Sequence, residues 1–467
     1  MERNRTARWR SGSYFPSLRN QRHTPMAEYP TPTTEQEFAA NFAQIKPLMS
    51  NTEALYESSR CLFCFDAPCI KACPSGIDIP QFIRQINSGN TTGAAKTIYE
   101  ANYFGNACGK VCPTEVLCEG ACVYNLNEQK PIEIGRLQSH ATRKVIDSGK
   151  QLFAPGAANG RKVAVIGAGP AGISAACELR ALGYEVDVFE ARAQPSGLTL
   201  YGVAPYKITN AETLAEMDYL QMQFGYRVHY NQRIGSREEL AALEEAYDAI
   251  FLGIGLGATN ALLLPGEERQ NCVGAVEFIE QLRIGHEQVQ VGRKVVVLGG
   301  GNTAMDAASE SARMGAQDVV LAYRRGKDEM GAYEFEYDLA KAVGVKGLFN
   351  VAPVEIVGNG KVEGVRFIRT ATVDGQVQVV PGSEFVEPCD MVIKATGQAK
   401  QTHFLHLIPG LQLDGKGRIV ADARTGQTTN PKYFASGDAL NGGAEVVNAA
   451  AEAKQTARGI HAFLSGN

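Results

Sequence analysis

No apolar run in this 467-residue sequence reaches the roughly 18 residues of a bilayer-spanning helix, so an integral membrane protein is not expected. Positive charge is not in excess. Lys and Arg number 46 against 50 Asp and Glu, a formal net charge of −4 that argues against a strongly basic nucleic-acid binder. The N-terminal stretch lacks the apolar segment of a signal peptide, and the chain is much longer than a disulfide-held secreted domain, so a cytoplasmic protein with reduced cysteines is expected. Apolar residues make up 44% and charged residues 21%, ordinary proportions that exclude disorder as the main state. At about 150 residues per domain the length suggests about three domains.

Cysteine and glycine carry the signal. Eight of the 11 cysteines fall between Cys61 and Cys122, while Cys177, Cys272 and Cys389 are scattered. Many of the 49 glycines sit in short clusters after apolar runs, as in phosphate-cradling loops. Clustered cysteines in a large, reduced chain read as metal ligands.

Residues 1–25 carry Arg3, Arg5, Arg8, Arg10, Arg19 and Arg22 against one acid, Glu2, and no apolar periodicity, in a head taken as residues 1–30. They are expected to be a disordered basic tail, with a transit peptide as the alternative. Phe38, Phe42, Ile45 and Leu48 recur near a helical period, so residues 31–60 are expected to be helical. Further helices are expected within Gly89–Tyr103 and over Ile134–Ile146, and Ala154–Gly160 reads as a linker. Residues 31–155 are thus expected to form a small helical cysteine-rich domain. At Arg161 the pattern changes to a buried strand, a Gly-rich turn and a helix start, and it repeats from Arg293. This predicts an α/β fold with two Rossmann-like dinucleotide-binding domains and parallel sheets.

The first cysteine run is Cys61-x2-Cys64-x4-Cys69-x3-Cys73-Pro74, and the second is Cys108-x3-Cys112-Pro113-x5-Cys118-x3-Cys122. In two-cluster ferredoxins the last cysteine of a C-x2-C-x2-C-x3-C-P run ligates the other cluster. By that logic Cys61, Cys64 and Cys69 hold three corners of one [4Fe–4S] cubane and Cys73 goes to a second. Structural zinc is the alternative, since Cys₄ zinc sites also use C-x2-C pairs. Only Cys61 and Cys64 stand two apart, and the two Cys-Pro steps favour a ferredoxin-like wrap.

Gly167-x-Gly169-x-x-Gly172 is a dinucleotide fingerprint, followed at the end of the next strand by Glu190, a carboxylate able to accept bonds from ribose hydroxyls. In the second unit Gly299, Gly301 and Ala304 take the fingerprint positions, and the next strand ends in Arg324-Arg325 instead of an acid. Paired guanidiniums suit a 2′-phosphate and favour NADPH over NADH. The alternative for them is a solvated face or salt bridges to Asp328 and Glu329. Near the C-terminus Tyr433–Ala435 leads to Asp438 and then to a glycine-opened helix, a place where a carboxylate reaches a flavin ribityl hydroxyl. The expected division is a FAD domain (161–290 and 398–467) interrupted by an NAD(P)H domain (291–397). The candidate FAD residues are Gly167, Gly169, Ala171, Gly172, Glu190, Leu198, Asp438, Glu445 and Val446. The candidate nucleotide residues are Gly299, Gly301, Asn302, Thr303, Ala304, Arg324 and Arg325, with Ala395, Thr396 and Gly397 on the way back. No C-x2-C stands beside the flavin half, where a disulfide reductase would need one; Cys177 reads as core, and His403 and His406 as ordinary histidines.

Together these residues resemble the NADPH- and FAD-dependent electron-input module shared by glutamate synthase small subunits and dihydropyrimidine dehydrogenases. The resemblance covers about residues 50–467 and is carried by Arg60–Cys69, Cys112–Cys118, Ile134–Gln138 and the Asp438 segment. It implies that Cys61, Cys64, Cys69 and Cys122 ligate one [4Fe–4S] cluster, and that Cys73, Cys112, Cys118 and Gln138 ligate the other. Cys108 would then be a non-ligand. Gln138, the Asp-Ala-Pro before Cys69 and the Ala204-Pro-Tyr-Lys207 run point to the pyrimidine branch, whose bacterial members are NAD-linked, whereas Arg324-Arg325 look NADP-like.

The expected function is electron input. Electrons from NADPH (or NADH) pass through FAD and two [4Fe–4S] clusters to an FMN- and iron–sulfur-containing partner that reduces uracil or thymine. Glutamate synthase, with its large subunit as partner, and an NADPH:ferredoxin-type reductase are the enzymatic alternatives; a zinc-stabilised flavoprotein binding module is the non-enzymatic one. No acid–base residue is named, because hydride transfer needs positioning more than proton chemistry.

Overall fold

The computed structural model describes residues 29–466, so the expected basic tail lies almost entirely outside the described residues. Two capping boxes set the first helices. Thr34 pairs with Glu37 to start the helix Glu35–Asn41, and Ser50 pairs with Glu53 to start Asn51–Ser59. The single helical stretch expected over 31–60 is therefore two helices, with Pro47 in the break. The apolar residues Phe38, Phe42 and Ile45 do not face the cysteine domain. They pack against the second Rossmann core, and Asn41 Nδ2 donates to Arg313 O at 2.7 Å. Residues 29–45 thus form a strap on the nucleotide half.

The remaining helices of the N-terminal domain include Ile79–Asn87, Thr91–Ala101, Gly105–Val111 and Ile134–Ser148. Phe82, Ile83, Ile98 and Phe104 are fully buried among them, each worth roughly 1.5–3 kcal/mol of burial. This core is continuous with Val163, Phe251 and Ala450 of the adjoining α/β unit.

That unit contains β1 (Lys162–Ile166), β2 (Glu185–Phe189), β3 (Arg227–His229) and β4 (Ala249–Leu252). The second unit contains β5 (Cys272–Gly274), β6 (Lys294–Leu298), β7 (Asp318–Tyr323) and β8 (Lys346–Phe349). An antiparallel insertion follows, made of β9 (Val351–Val357), β10 (Gly364–Val373), β11 (Gln376–Val379) and β12 (Phe385–Pro388). Then come β13 (Met391–Lys394) and β14 (Tyr433–Ala435). The first parallel sheet has the order β14-β4-β1-β2-β3 and the second β5-β13-β6-β7-β8. The near-continuous apolar runs of β1 and β6 are those of strands buried on both faces. One difference from the expected division is that β5 and the helix Ala275–Gly285, placed before residue 290, belong with the second sheet.

The long helix Val446–Ser465 lies along Pro170–Ala181, with Ala449, Ala450, Ala453 and Ala457 and the facing Ala175 and Ala176 in the shared core; small side chains allow that close approach. Cys177 is fully buried there. No helix among the described residues is long and apolar enough to cross a membrane.

Candidate functional site

A cavity of about 910 Å³ opens at the carboxyl ends of the first sheet and runs to the second unit, where open α/β sheets bind ligands. Gly167, Gly169, Ala171, Glu190, Leu198, Asp438, Glu445 and Val446 line it, joined from the second unit by Asn302 and Thr303. The glycines divide by role. A side chain on Gly172 would meet the Gly167 carbonyl at 1.8 Å, so this glycine serves helix–strand packing. At Gly169 the nearest atom is 3.8 Å away, which leaves backbone open to a ligand. Glu190 is held in place by accepting from Ala168 N and Arg192 N, each at 2.8 Å. Asp438 accepts from Ala444 N at 3.1 Å, and the neighbouring Ser436 hydroxyl is buried without a partner. An open glycine, a fixed carboxylate and an unpartnered hydroxyl fit FAD.

In the second turn Gly299, at φ +153°, approaches the Ala395 carbonyl so closely that a side chain would sit 2.4 Å from it, while Gly301 faces open space. Ala395 N donates to Leu298 O at 2.8 Å, Thr396 Oγ1 donates to Asn260 O at 3.2 Å, and Gly397 turns at φ +84°. These three residues, like Gly172, Gly299, Gly301 and Ala304, are not among those lining the large cavity. Arg324 and Arg325 follow β7 directly, and Tyr323 packs over Gly300 of the turn. The alternative of ion pairs to Glu329 is not realised. Glu329 accepts from Gly326 N and Thr372 Oγ1 at 3.1 Å each, and Arg325 Nε is buried without a partner.

Cys61, Cys64, Cys69 and Cys122 line a single small pocket with Ile79, Ile83 and Ile132. Burial pushes the Cys69 thiol up to about 12, a cost that a metal-bound thiolate avoids. Among the described residues no three cysteine sulfurs lie within 4.8 Å of one another. Four thiols around one small pocket suit a [4Fe–4S] cluster, each iron of which takes one thiolate.

Cys73, Cys112 and Cys118 form the second group. Cys108 lies beside Cys112 and raises the pKa of its thiol together with burial and Cys73, and burial, with Glu119, Cys112 and Cys73 nearby, raises that of Cys118. Gln138 is buried, and its Nε2 donates to Gly105 O at 2.6 Å, at the start of the helix that bears Cys108. Gly109 and Gly135 let the two helices touch, since a side chain on either would strike backbone at 2.7 or 2.6 Å. Val111 and Pro113, on either side of Cys112, line the large cavity, so this cysteine group abuts the flavin site. The other group lies towards the surface, beside Leu62 and Phe65, 62% and 106% exposed.

Among the wall residues absent from the expected set are Lys207, Asp306 and Glu336. Asp306 could have been found, because it lies one helical turn after Asn302 on the fingerprint helix. Lys207 stood in the sequence only within the Ala204–Lys207 run read as a branch marker, and Glu336, from a distant segment, carries no local signal.

Residues 38–150 match the family described as dihydropyrimidine dehydrogenase domain II, 4Fe-4S cluster, and residues 161–453 match the pyridine nucleotide-disulphide oxidoreductase family. The chain is 34% identical to the glutamate synthase [NADPH] small chain of Escherichia coli over 445 residues, covering 91% of this chain and 94% of that one. It is 33% identical over 424 residues to the NAD-dependent dihydropyrimidine dehydrogenase subunit PreT of the same organism, covering 91% and 97%. Among solved structures, Mycobacterium tuberculosis FprA in complex with NADPH shares the fold at a TM-score of 0.55 and 23% identity, over 66% of this chain and 85% of that one. The chain belongs to the pyridine nucleotide-disulphide oxidoreductase family and carries a 4Fe-4S domain before it. It is an NAD(P)H-dependent FAD oxidoreductase.

Proposed function

We propose that this chain is the electron-input subunit of a dihydropyrimidine dehydrogenase-type enzyme, working in the cytoplasm with NADPH as donor. When bound, FAD takes a hydride from the nicotinamide, and two [4Fe–4S] clusters accept its electrons singly. The chain's residues supply placement. Gly169 and the start of the helix Pro170–Ala181 would bind pyrophosphate, and Glu190 the ribose. Arg324 and Arg325 would hold the 2′-phosphate. Cys73, Cys112, Cys118 and Gln138 would hold the cluster nearer the flavin, and Cys61, Cys64, Cys69 and Cys122 the outer one.

The observation that carries this reading is the position of Cys112, flanked by two residues of the flavin cavity wall, with the second cysteine pocket nearer the surface. That order leads electrons outward to a partner. The terminal reduction needs an FMN site on a barrel of about 250 residues, which the partner would bring. Gln138 supports the pyrimidine branch. The unpaired Arg324-Arg325 and the 34% identity to a glutamate synthase [NADPH] small chain support glutamate synthase as the second reading.

The isolated protein is expected to oxidise NADPH with ferricyanide or a tetrazolium dye and to leave uracil and thymine untouched. Adding an FMN-containing pyrimidine-reducing subunit should confer uracil reduction. Coupling only to a glutamate synthase large subunit or to a ferredoxin would reject this assignment in favour of the corresponding alternative.

A further inference from the structure

Given the electron path proposed above, one proton is left over. Oxidation of a reduced nicotinamide yields two electrons and one proton, and an iron–sulfur cluster takes an electron without a proton. The balance is NADPH plus two oxidised clusters giving NADP⁺, one proton and two reduced clusters. The proton is released where nicotinamide and flavin would meet in this cavity, where a wall carboxylate is suited to accept it.

One side-chain cluster is placed there. Lys207 Nζ donates to Glu336 Oε1 at 2.8 Å and bonds Asp306 at 2.8 Å. All three residues line the cavity, on the wall shared with Asn302 and Thr303 of the nucleotide turn. Tyr206 Oη donates to Asp306 Oδ1 at 2.5 Å, so Asp306 is committed to its neighbours. Glu336 is not, because its Oε2 is buried and has no hydrogen-bond partner. A carboxylate oxygen left bare in a protein interior costs about 1–3 kcal/mol or more, a cost that protonation or a ligand donor removes. Glu310, whose two oxygens are also buried and unpartnered, lies near Asp306 and Lys207, along with Arg283 and Arg313. Glu115 from the iron–sulfur domain also acts on Glu336, and Glu445, which accepts from Tyr333 Oη at 3.1 Å, lines the same cavity near Lys207 and Asp306. Burial and the nearby Asp306 raise the pKa of Glu336, and Lys207 opposes them. A purely structural ion pair would account for Oε1 but not for the bare Oε2.

We propose that Glu336, held by Lys207 beside Asp306, accepts the proton that remains when the hydride's electrons leave through the clusters, and then returns it to solvent. The test uses the full chain loaded with FAD and both clusters, mixed anaerobically with NADPH in weakly buffered solution containing a pH-indicator dye. In Glu336→Gln, cluster reduction relative to flavin reduction should slow by about a hundredfold, the lower end of what a positioned proton acceptor contributes, and dye-detected proton release should be delayed with it. Glu336→Asp should recover most of the loss. In the wild type, the reduced-minus-oxidised infrared spectrum should show a protonated-carboxyl band that shifts in heavy water, a readout that needs no substitution. Wild-type proton release and cluster reduction in Glu336→Gln, or a wild-type spectrum without that band, would overturn the proposal alone. A wild-type flavin that is reduced while both clusters stay oxidised would overturn the electron path beneath it.

Discussion

The Glu216 carboxylate accepts a hydrogen bond from the backbone N–H of Ala107 at 2.9 Å, joining the helix Asn210–Phe224 of the flavin unit to the helix that carries Cys108. Its other oxygen accepts from Asn106 N at 2.6 Å and from Tyr99 Oη at 3.1 Å. The iron–sulfur helix is thereby anchored to the flavin domain through a fully buried acid.

That acid makes stability pH-dependent. Burial raises Glu216 from 4.5 to about 7, against the lowering effect of its hydrogen bonds. The folded state therefore keeps this proton where the unfolded state has lost it. Its contribution is fully present below about pH 4.5, falls through the window to 7 and is lost above it, an upper bound of about 3 kcal/mol. Melting curves at about pH 5 and about pH 8 should differ more for wild type than for Glu216→Gln. An equal difference in both would show that Glu216 does not titrate in this window.

Metal identity follows from the two cysteine groups and the matching 4Fe-4S family. Anaerobically purified protein should be brown, with about eight irons and eight acid-labile sulfides per chain. Stoichiometric zinc without sulfide would contradict the two-cubane assignment.

Nucleotide choice rests on two arginines without acidic partners beside them. Replacing Arg324 and Arg325 with Ala should weaken NADPH by roughly 2–4 kcal/mol, given about 1.5–3 per charged hydrogen bond and partial exposure, and change NADH little. Equal losses for both nucleotides, measured by anaerobic titration of flavin reduction, would mark the pair as structural.

The fourth ligand of the inner cluster lies between two buried neighbours. If Gln138 fills it, Gln138→Ala should leave FAD in place but make that cluster labile, while Cys108→Ser stays mild. Iron analysis checks this. Loss of four irons in Cys108→Ser and none in Gln138→Ala would assign the corner to the Cys108 thiol, which lies beside Cys112.

The two fingerprint glycines should fail differently. Gly172→Ala drives its methyl into the Gly167 carbonyl and should destabilise the fold by several kcal/mol, whereas Gly169→Val meets no protein atom closer than 3.8 Å at its Cβ and should lose FAD with little loss of apoprotein stability. FAD content and apoprotein melting separate the two outcomes.

Much of this protein is local in origin and so was legible in the sequence. The turn glycines, the apolar parallel strands and the cysteine spacings each depend on residues within a few positions of one another. The tertiary structure decided what depends on distant segments. Phe38 and Phe42 have helical spacing, but only packing revealed that the nucleotide domain covers them. Cys272–Gly274 reads as a strand in either half until it pairs with Met391–Lys394. Lys207, Asp306 and Glu336, up to 129 residues apart, meet because two Rossmann units close on one cavity. Burial then raises the pKa of Glu336, and no spacing rule contains that burial.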